Sequence, residues 1–152
     1  MARYRLEIAR SAERQLKKVP AGDRRRLARA LLAPADALLA SDEACAVSDQ
    51  VLSTFLRVVT HARVFHPPTP LEPALAFVEA LRHRPNAVPI APAARHWDIF
   101  VRLCRETDAT GNLVPDAWLA ALAIEAGCEF ITSDRDYARF QTLRWRHALR
   151  AT

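Results

Sequence analysis

The chain has 152 residues, 51% hydrophobic and 26% charged, with ten prolines but only three glycines. That is the length of one domain with ample apolar material for a core, which excludes intrinsic disorder; no GxGxxG or GxxxxGK(S/T) phosphate loop and no apolar run long enough to span a bilayer occurs. The net charge of +5 is unevenly spread: residues 1–33 hold ten Lys and Arg against three acids, residues 34–152 twelve Arg against fourteen acids. A basic arm on a near-neutral body suits nucleic acid or an acidic partner, and equally suits a solvated helix face.

In chain order, residues 4–9 alternate like a strand, with Tyr4, Leu6 and Ile8 on one face. Ser11 is placed to cap a helix running to Lys18 and stopped by Pro20. A second helix from Gly22 or Asp23 to Leu32 would put Leu27, Ala30 and Leu31 on one side and Arg24, Arg25, Arg26 and Arg29 outside, and residues 35–40 read as another helical stretch. From Ala44 strand and helix alternate. Cys45-Ala46-Val47 predicts a strand, residues 49–60 a helix capped by Ser48, residues 73–83 a helix, and Val88-Pro89-Ile90 a third strand. A helix over 93–105 follows, then one over 115–125, opened by Pro115 and ended by Gly127. Glu129–Thr132 is the clearest strand. Such alternation predicts an α/β fold, a parallel sheet flanked by helices.

In open α/β sheets, ligands gather beyond the carboxyl ends of the strands. Asp134 and Asp136 follow the strand Glu129–Thr132, and Asp116 falls in the first turn of the helix at that same edge. Converging aspartates repel each other, so a proton or a cation must neutralise them. Oxygen-only ligands suit Mg²⁺ or Mn²⁺, which can activate a water against a phosphodiester. The same residues also read as a helix cap and a polar turn. The three cysteines, Cys45, Cys104 and Cys128, form no CxxC or Cys/His cluster, and the five histidines show no HxH or HExxH spacing, which argues against zinc. Free cysteines and a charged opening that does not read as a secretion signal place the expected setting in the cytoplasm, with no membrane partner.

Two stretches carry a resemblance: Asn112-Leu113-Val114-Pro115-Asp116-Ala117-Trp118, and Thr132-Ser133-Asp134-Arg135-Asp136-Tyr137-Ala138-Arg139-Phe140. They resemble the C-terminal half of PIN-domain ribonucleases, and more narrowly the VapC toxins of toxin–antitoxin pairs. Val51-Leu52-Ser53-Thr54-Phe55-Leu56-Arg57 and Leu143-Arg144-Trp145-Arg146 match a subgroup of those toxins. The resemblance implies a PIN-like domain over 34–152 and an Mg²⁺-dependent endoribonuclease, with Mn²⁺ as an alternative ion. It also implies RNA as substrate, a VapB-like antitoxin as partner, and a homodimer. Asp116 takes the third acidic position and Asp134 the fourth, both catalytic and metal-binding. Asp136 takes the neighbouring acidic position as a further metal ligand, with Thr132 and Ser133 able to hold a carboxylate or a water.

The chain departs from that family in two places. No strand ending in the family's first aspartate is present, and Thr54 stands where a glutamate is usual, with Asp49 one turn earlier. Residues 1–33 instead resemble the opening strand and helical hairpin of RelE/ParE toxins, without the later strands that carry that family's chemistry. The sequence thus reads as a RelE-like segment replacing the first strand and helix of a PIN domain, with Glu7 as a stand-in for the missing aspartate or as a solvent-facing strand residue. Two functions follow: a nuclease, or a recombined, catalytically impaired relic that binds antitoxin or RNA without cleaving.

Overall fold

A computed structural model describes residues 5–7, 43–132 and 134–147, with the backbone alone for 5–7. The helices expected over 11–18, 23–32 and 35–40, and the Ser133 hydroxyl, lie outside the described residues. Five strands form one sheet in the order β3-β2-β1-β4-β5: β1 (Arg5–Glu7), β2 (Cys45–Val47), β3 (Ala87–Pro89), β4 (Glu129–Thr132) and β5 (Trp145–His147). Every pairing is parallel. β1 lies in the central slot, with Arg5 opposite Cys45 on one side and Leu6 and Glu7 opposite Phe130 and Ile131 on the other.

Parallel strands are covered on both faces, so their residues are buried in runs instead of alternately. β4 shows this: Phe130, Ile131 and Thr132 are all sequestered from solvent. The covering helices are α1 (Asp49–Val59), α2 (Leu71–Arg82), α3 (His96–Glu106) and α4 (Leu113–Glu125). α4 is apolar almost all round and buries Leu113, Ala117 and the run from Leu119 to Ala123. Its alanines present little bulk, which lets a central helix pack closely on both α3 and β4. Leu103 of α3 and Phe130, Tyr137, Phe140 and Leu143 complete this core. A smaller cluster joins Val47, Leu52 and Val78 beneath α1 and α2, where the Phe55 and Phe77 rings stack 5.3 Å apart.

Three helix starts differ from the sequence reading, two of them for a shared physical reason. α2 begins at Leu71 and α4 at Leu113, each two residues before the proline taken as its start. Pro73 and Pro115 are therefore third residues, still inside the first turn, where a missing N–H costs no intrahelical bond. α3 begins at His96 instead of Ala93, after a turn closed by the His96 N–H on the Ala93 carbonyl. β3 lies one residue earlier than expected, although the Ile90 N–H still reaches the Val47 carbonyl at 2.8 Å. Gly127 ends α4 as anticipated. It lies at φ +68°, its N–H bonds the Ile124 carbonyl, and the Cys128 N–H bonds the Ala123 carbonyl, forming a Schellman cap. β5 is an element that periodicity did not reveal: Trp145-Arg146-His147 is too short and too polar to announce a strand.

Candidate active site

The site begins with a hydroxyl at the end of β4. Thr132 Oγ1 accepts the backbone N–H of Asp134 at 3.0 Å and turns the chain out of the sheet. Asp134 in turn caps a short 3-10 helix, Arg135–Arg139, its Oδ1 accepting the Asp136 N–H at 3.0 Å. The strand end, the turn and the cap thus fix the Asp134 carboxylate and set Asp136 one residue inside the 3-10 helix. The third acid arrives from elsewhere. Asp116 lies in the first turn of α4, 1% exposed, and its Oδ1 accepts the Tyr137 hydroxyl at 3.4 Å.

The structure brings these three together. One carboxylate oxygen from each of Asp116, Asp134 and Asp136 lies within 4.8 Å of the other two. Burial decreases in the order Asp116, Asp134, Asp136, so the cluster is closed at one side and open at the other. Two ionised carboxylates at that separation repel by about 3 kcal/mol at an effective dielectric of about 20. The N-terminus of α4 returns to the buried Asp116 about 2 kcal/mol at most. The helix dipole therefore does not offset the mutual repulsion of three anions here, which a bound cation would. The donor set is all oxygen, with no imidazole or thiolate, and its open side leaves room for the waters that a small hard cation keeps. These residues fit a divalent ion of the Mg²⁺ or Mn²⁺ kind.

The other residues weighed in the sequence have different placements. Asp49 is exposed, lies outside the cluster and pairs with Arg82 at 3.4 Å. Thr54 is buried and donates its hydroxyl to the Gln50 carbonyl at 2.9 Å, a bond within α1. His96 is buried with its Nε2 3.1 Å from the Trp118 carbonyl and its ring against the Trp118 indole. Burial pushes the Cys128 thiol up to about 11, against the opposing pull of Arg144, so it is no nucleophile near neutrality. Thr132, expected to hold a carboxylate or a water, accepts the Asp134 backbone N–H through its hydroxyl oxygen. Sequence reasoning did not single out Tyr137. An aromatic residue after Asp136 reads as core, and its ring is core; only its hydroxyl belongs to the site.

A family model described as PIN domain matches residues 27–143. The chain is 44% identical over 109 residues to Ribonuclease VapC25 of Mycobacterium tuberculosis (strain ATCC 25618 / H37Rv), covering 72% of this chain and 77% of that protein. It is 45% identical over 108 residues to VapC ribonuclease Mb2897 of Mycobacterium bovis, covering 71% and 74%. Among solved structures it resembles VapBC-1 from nontypeable Haemophilus influenzae, with a TM-score of 0.60 and 16% identity, over 97% of this chain and 98% of that one. A second, VapBC2 from Rickettsia felis bound to a promoter DNA fragment, gives a TM-score of 0.58 and 17% identity over 95% and 98%. At such identities the structural likeness speaks for the fold. These matches lend no support to the RelE/ParE likeness of the opening segment.

Proposed function

Because the chain belongs to the PIN-domain family of VapC ribonucleases, we propose that it is an Mg²⁺-dependent endoribonuclease toxin, with Mn²⁺ able to substitute. The observation that carries this reading is the meeting of Asp116, Asp134 and Asp136 at the carboxyl edge of the sheet. Asp116 and Asp134 are the principal ligands and Asp136 the supporting one. A divalent cation held there supplies charge neutralisation at a phosphodiester and activation of a water. The protein's own part is orientation. Thr132 fixes the Asp134 backbone, the cap on the 3-10 helix fixes the Asp134 carboxylate, and the first turn of α4 fixes Asp116.

The names of the structural neighbours, VapBC-1 and VapBC2, support a VapB-like antitoxin as partner. RNA is the substrate class, and a homodimer in the cytoplasm completes the proposal. No helix among the described residues is long and apolar enough to cross a membrane. The test is cleavage of RNA by the purified full chain with Mg²⁺. Activity should stop with a chelator and fall by a factor of about 100 or more in Asp116→Asn and in Asp134→Asn. Unchanged cleavage in both variants overturns the mechanism.

A second reading has its own support, because the family's first aspartate is absent and Thr54 replaces the usual glutamate. It is a catalytically impaired relic that binds antitoxin or RNA without cutting. In either reading, residues 1–33 act as a RelE-like segment that contributes a strand to the PIN-like domain of 34–152. The place of β1 between β2 and β4 supports this arrangement. Glu7, in register with Ile131 at the carboxyl end of β1, is the candidate replacement for the first acid. Calorimetry with Mn²⁺ separates the readings. Tight binding that weakens in Glu7→Gln favours the nuclease; weak binding, with no RNA cut, favours the relic.

A further inference from the structure

Tyr137 is the third residue of the 3-10 helix that Asp134 caps, and its 1% exposed ring is wedged into the core. Its centroid lies 4.4 Å from that of Phe130 and 5.9 Å from that of Phe140. From this anchored position its hydroxyl donates to Asp116 Oδ1, 21 residues away in the chain and on a different element. The contact thus ties the helix bearing Asp116 to the segment bearing Asp134 and Asp136. It does so where the three carboxylates, if ionised, push those elements apart.

Packing alone does not require this hydroxyl. A phenyl ring would fill the same space between Phe130 and Phe140 without a polar atom to satisfy. What the hydroxyl adds is direction: a proton aimed at one oxygen of a buried carboxylate fixes the plane of that carboxylate. We infer that Tyr137 is a positioning residue of the acidic cluster, its O–H holding the Asp116 carboxylate turned for a cation shared with Asp134 and Asp136. This rests on the reading that the cluster binds a divalent cation. At 3.4 Å the bond is long, which sets the size of the effect below the range for bonds to charged groups, at that of an ordinary hydrogen bond.

The experiment is Mn²⁺ binding by calorimetry on the full chain, for the wild type, Asp116→Asn and Tyr137→Phe, with folding checked by circular dichroism. The expected result is loss of binding in Asp116→Asn. In a folded Tyr137→Phe, the dissociation constant should rise about threefold to tenfold. A purely structural Tyr137 would change the melting temperature and leave that constant alone. A second measurement does not depend on that variant folding. In a Tyr4→Phe chain labelled with 3-fluorotyrosine, the remaining ¹⁹F resonance should shift and saturate as Mg²⁺ is added. Binding lost in Asp116→Asn with an unmoved constant in Tyr137→Phe, or a ¹⁹F signal indifferent to Mg²⁺, overturns the role of Tyr137 and leaves the metal site standing. Absence of binding in the wild type, or full binding in Asp116→Asn, overturns the metal site and the positioning role together.

Discussion

Glu125, the last residue of α4, accepts the backbone N–H of Arg95 at 2.8 Å and that of Ala93 at 2.9 Å. The end of one helix thus supplies the partners for the turn that starts another, and α3 is held against α4 through backbone groups its own sequence leaves unmet. A carboxylate serving two N–H donors acts as an N-cap provided from a distance.

Glu125→Ala should therefore destabilise the chain by about 1 kcal/mol, the ordinary cost of a lost cap, measured by urea unfolding. Slight burial pushes the Glu125 carboxyl up, but the bonds from Ala93 and Arg95 and the nearby His96 and Arg95 outweigh it, and its pKa lies below the usual glutamate range. A lowered folded pKa gives stability that is present above about pH 4.3 and lost as pH falls through the lowered value. The difference between wild type and Glu125→Ala should accordingly shrink below about pH 4. A difference that persists unchanged to pH 2 would contradict the assignment.

Removing a charge from the acidic cluster should stabilise the protein when no metal is bound. Asp136 is the most open of the three, and its backbone N–H, not its side chain, completes the Asp134 cap. Asp136→Asn keeps that cap while relieving repulsion, so in chelator it should melt about 1–4 °C higher than wild type. With saturating Mg²⁺ the order should reverse, because the ion stabilises the wild type by about 2.7 kcal/mol at a hundredfold excess over its Kd and stabilises the weaker-binding variant less. Thermal melts with and without the ion check both halves.

Thr132 makes a cleaner test of orientation. Thr132→Val keeps the shape of a buried side chain but deletes the oxygen that accepts the Asp134 N–H. An unsatisfied buried donor costs about 1–3 kcal/mol, and the released turn lets Asp134 drift from the cluster. The variant should lose stability and Mn²⁺ affinity together, whereas Thr132→Ser should keep most of both. Unfolding curves and calorimetry on the pair decide it.

The Cys128 thiol, pushed up to about 11, holds well under a thousandth of its population as thiolate at pH 7.5. It should resist iodoacetamide in the native state and react on unfolding. Cys128→Ala should leave RNA cleavage unchanged, and a loss of cleavage in a folded variant would point to chemistry outside the aspartates.

Strand–helix alternation was legible from Ala44 onward because short apolar runs alternate with longer helical stretches punctuated by Ser, Pro or Gly, even though α4 is apolar almost all round. Gly127 marked the end of α4 from composition alone, since a left-handed residue there favours glycine. β5 and the 3-10 helix were not legible. Trp145-Arg146-His147 becomes a strand by lying beside Phe130, Ile131 and Thr132, and three residues are too few to establish a period. The candidate acids could be named because two follow a strand and one opens a helix. Of the groups that orient them, the Thr132 hydroxyl was named but not its bond to the Asp134 N–H, and Tyr137 was not named, because its ring reads as core and its hydroxyl meets Asp116 only in the fold.

The sequence by itself determined the kinds of element, their order and the family likeness, because propensity, capping and spacing are local properties of neighbouring residues. Only the tertiary structure decided that β1 occupies the middle of the sheet, that Glu125 caps a helix 30 residues earlier, and that Asp116 reaches within 4.8 Å of Asp134 and Asp136. Those distances depend on how parallel strands register and how α4 packs on β4, and no local pattern encodes the separation of side chains that meet only once the core has closed.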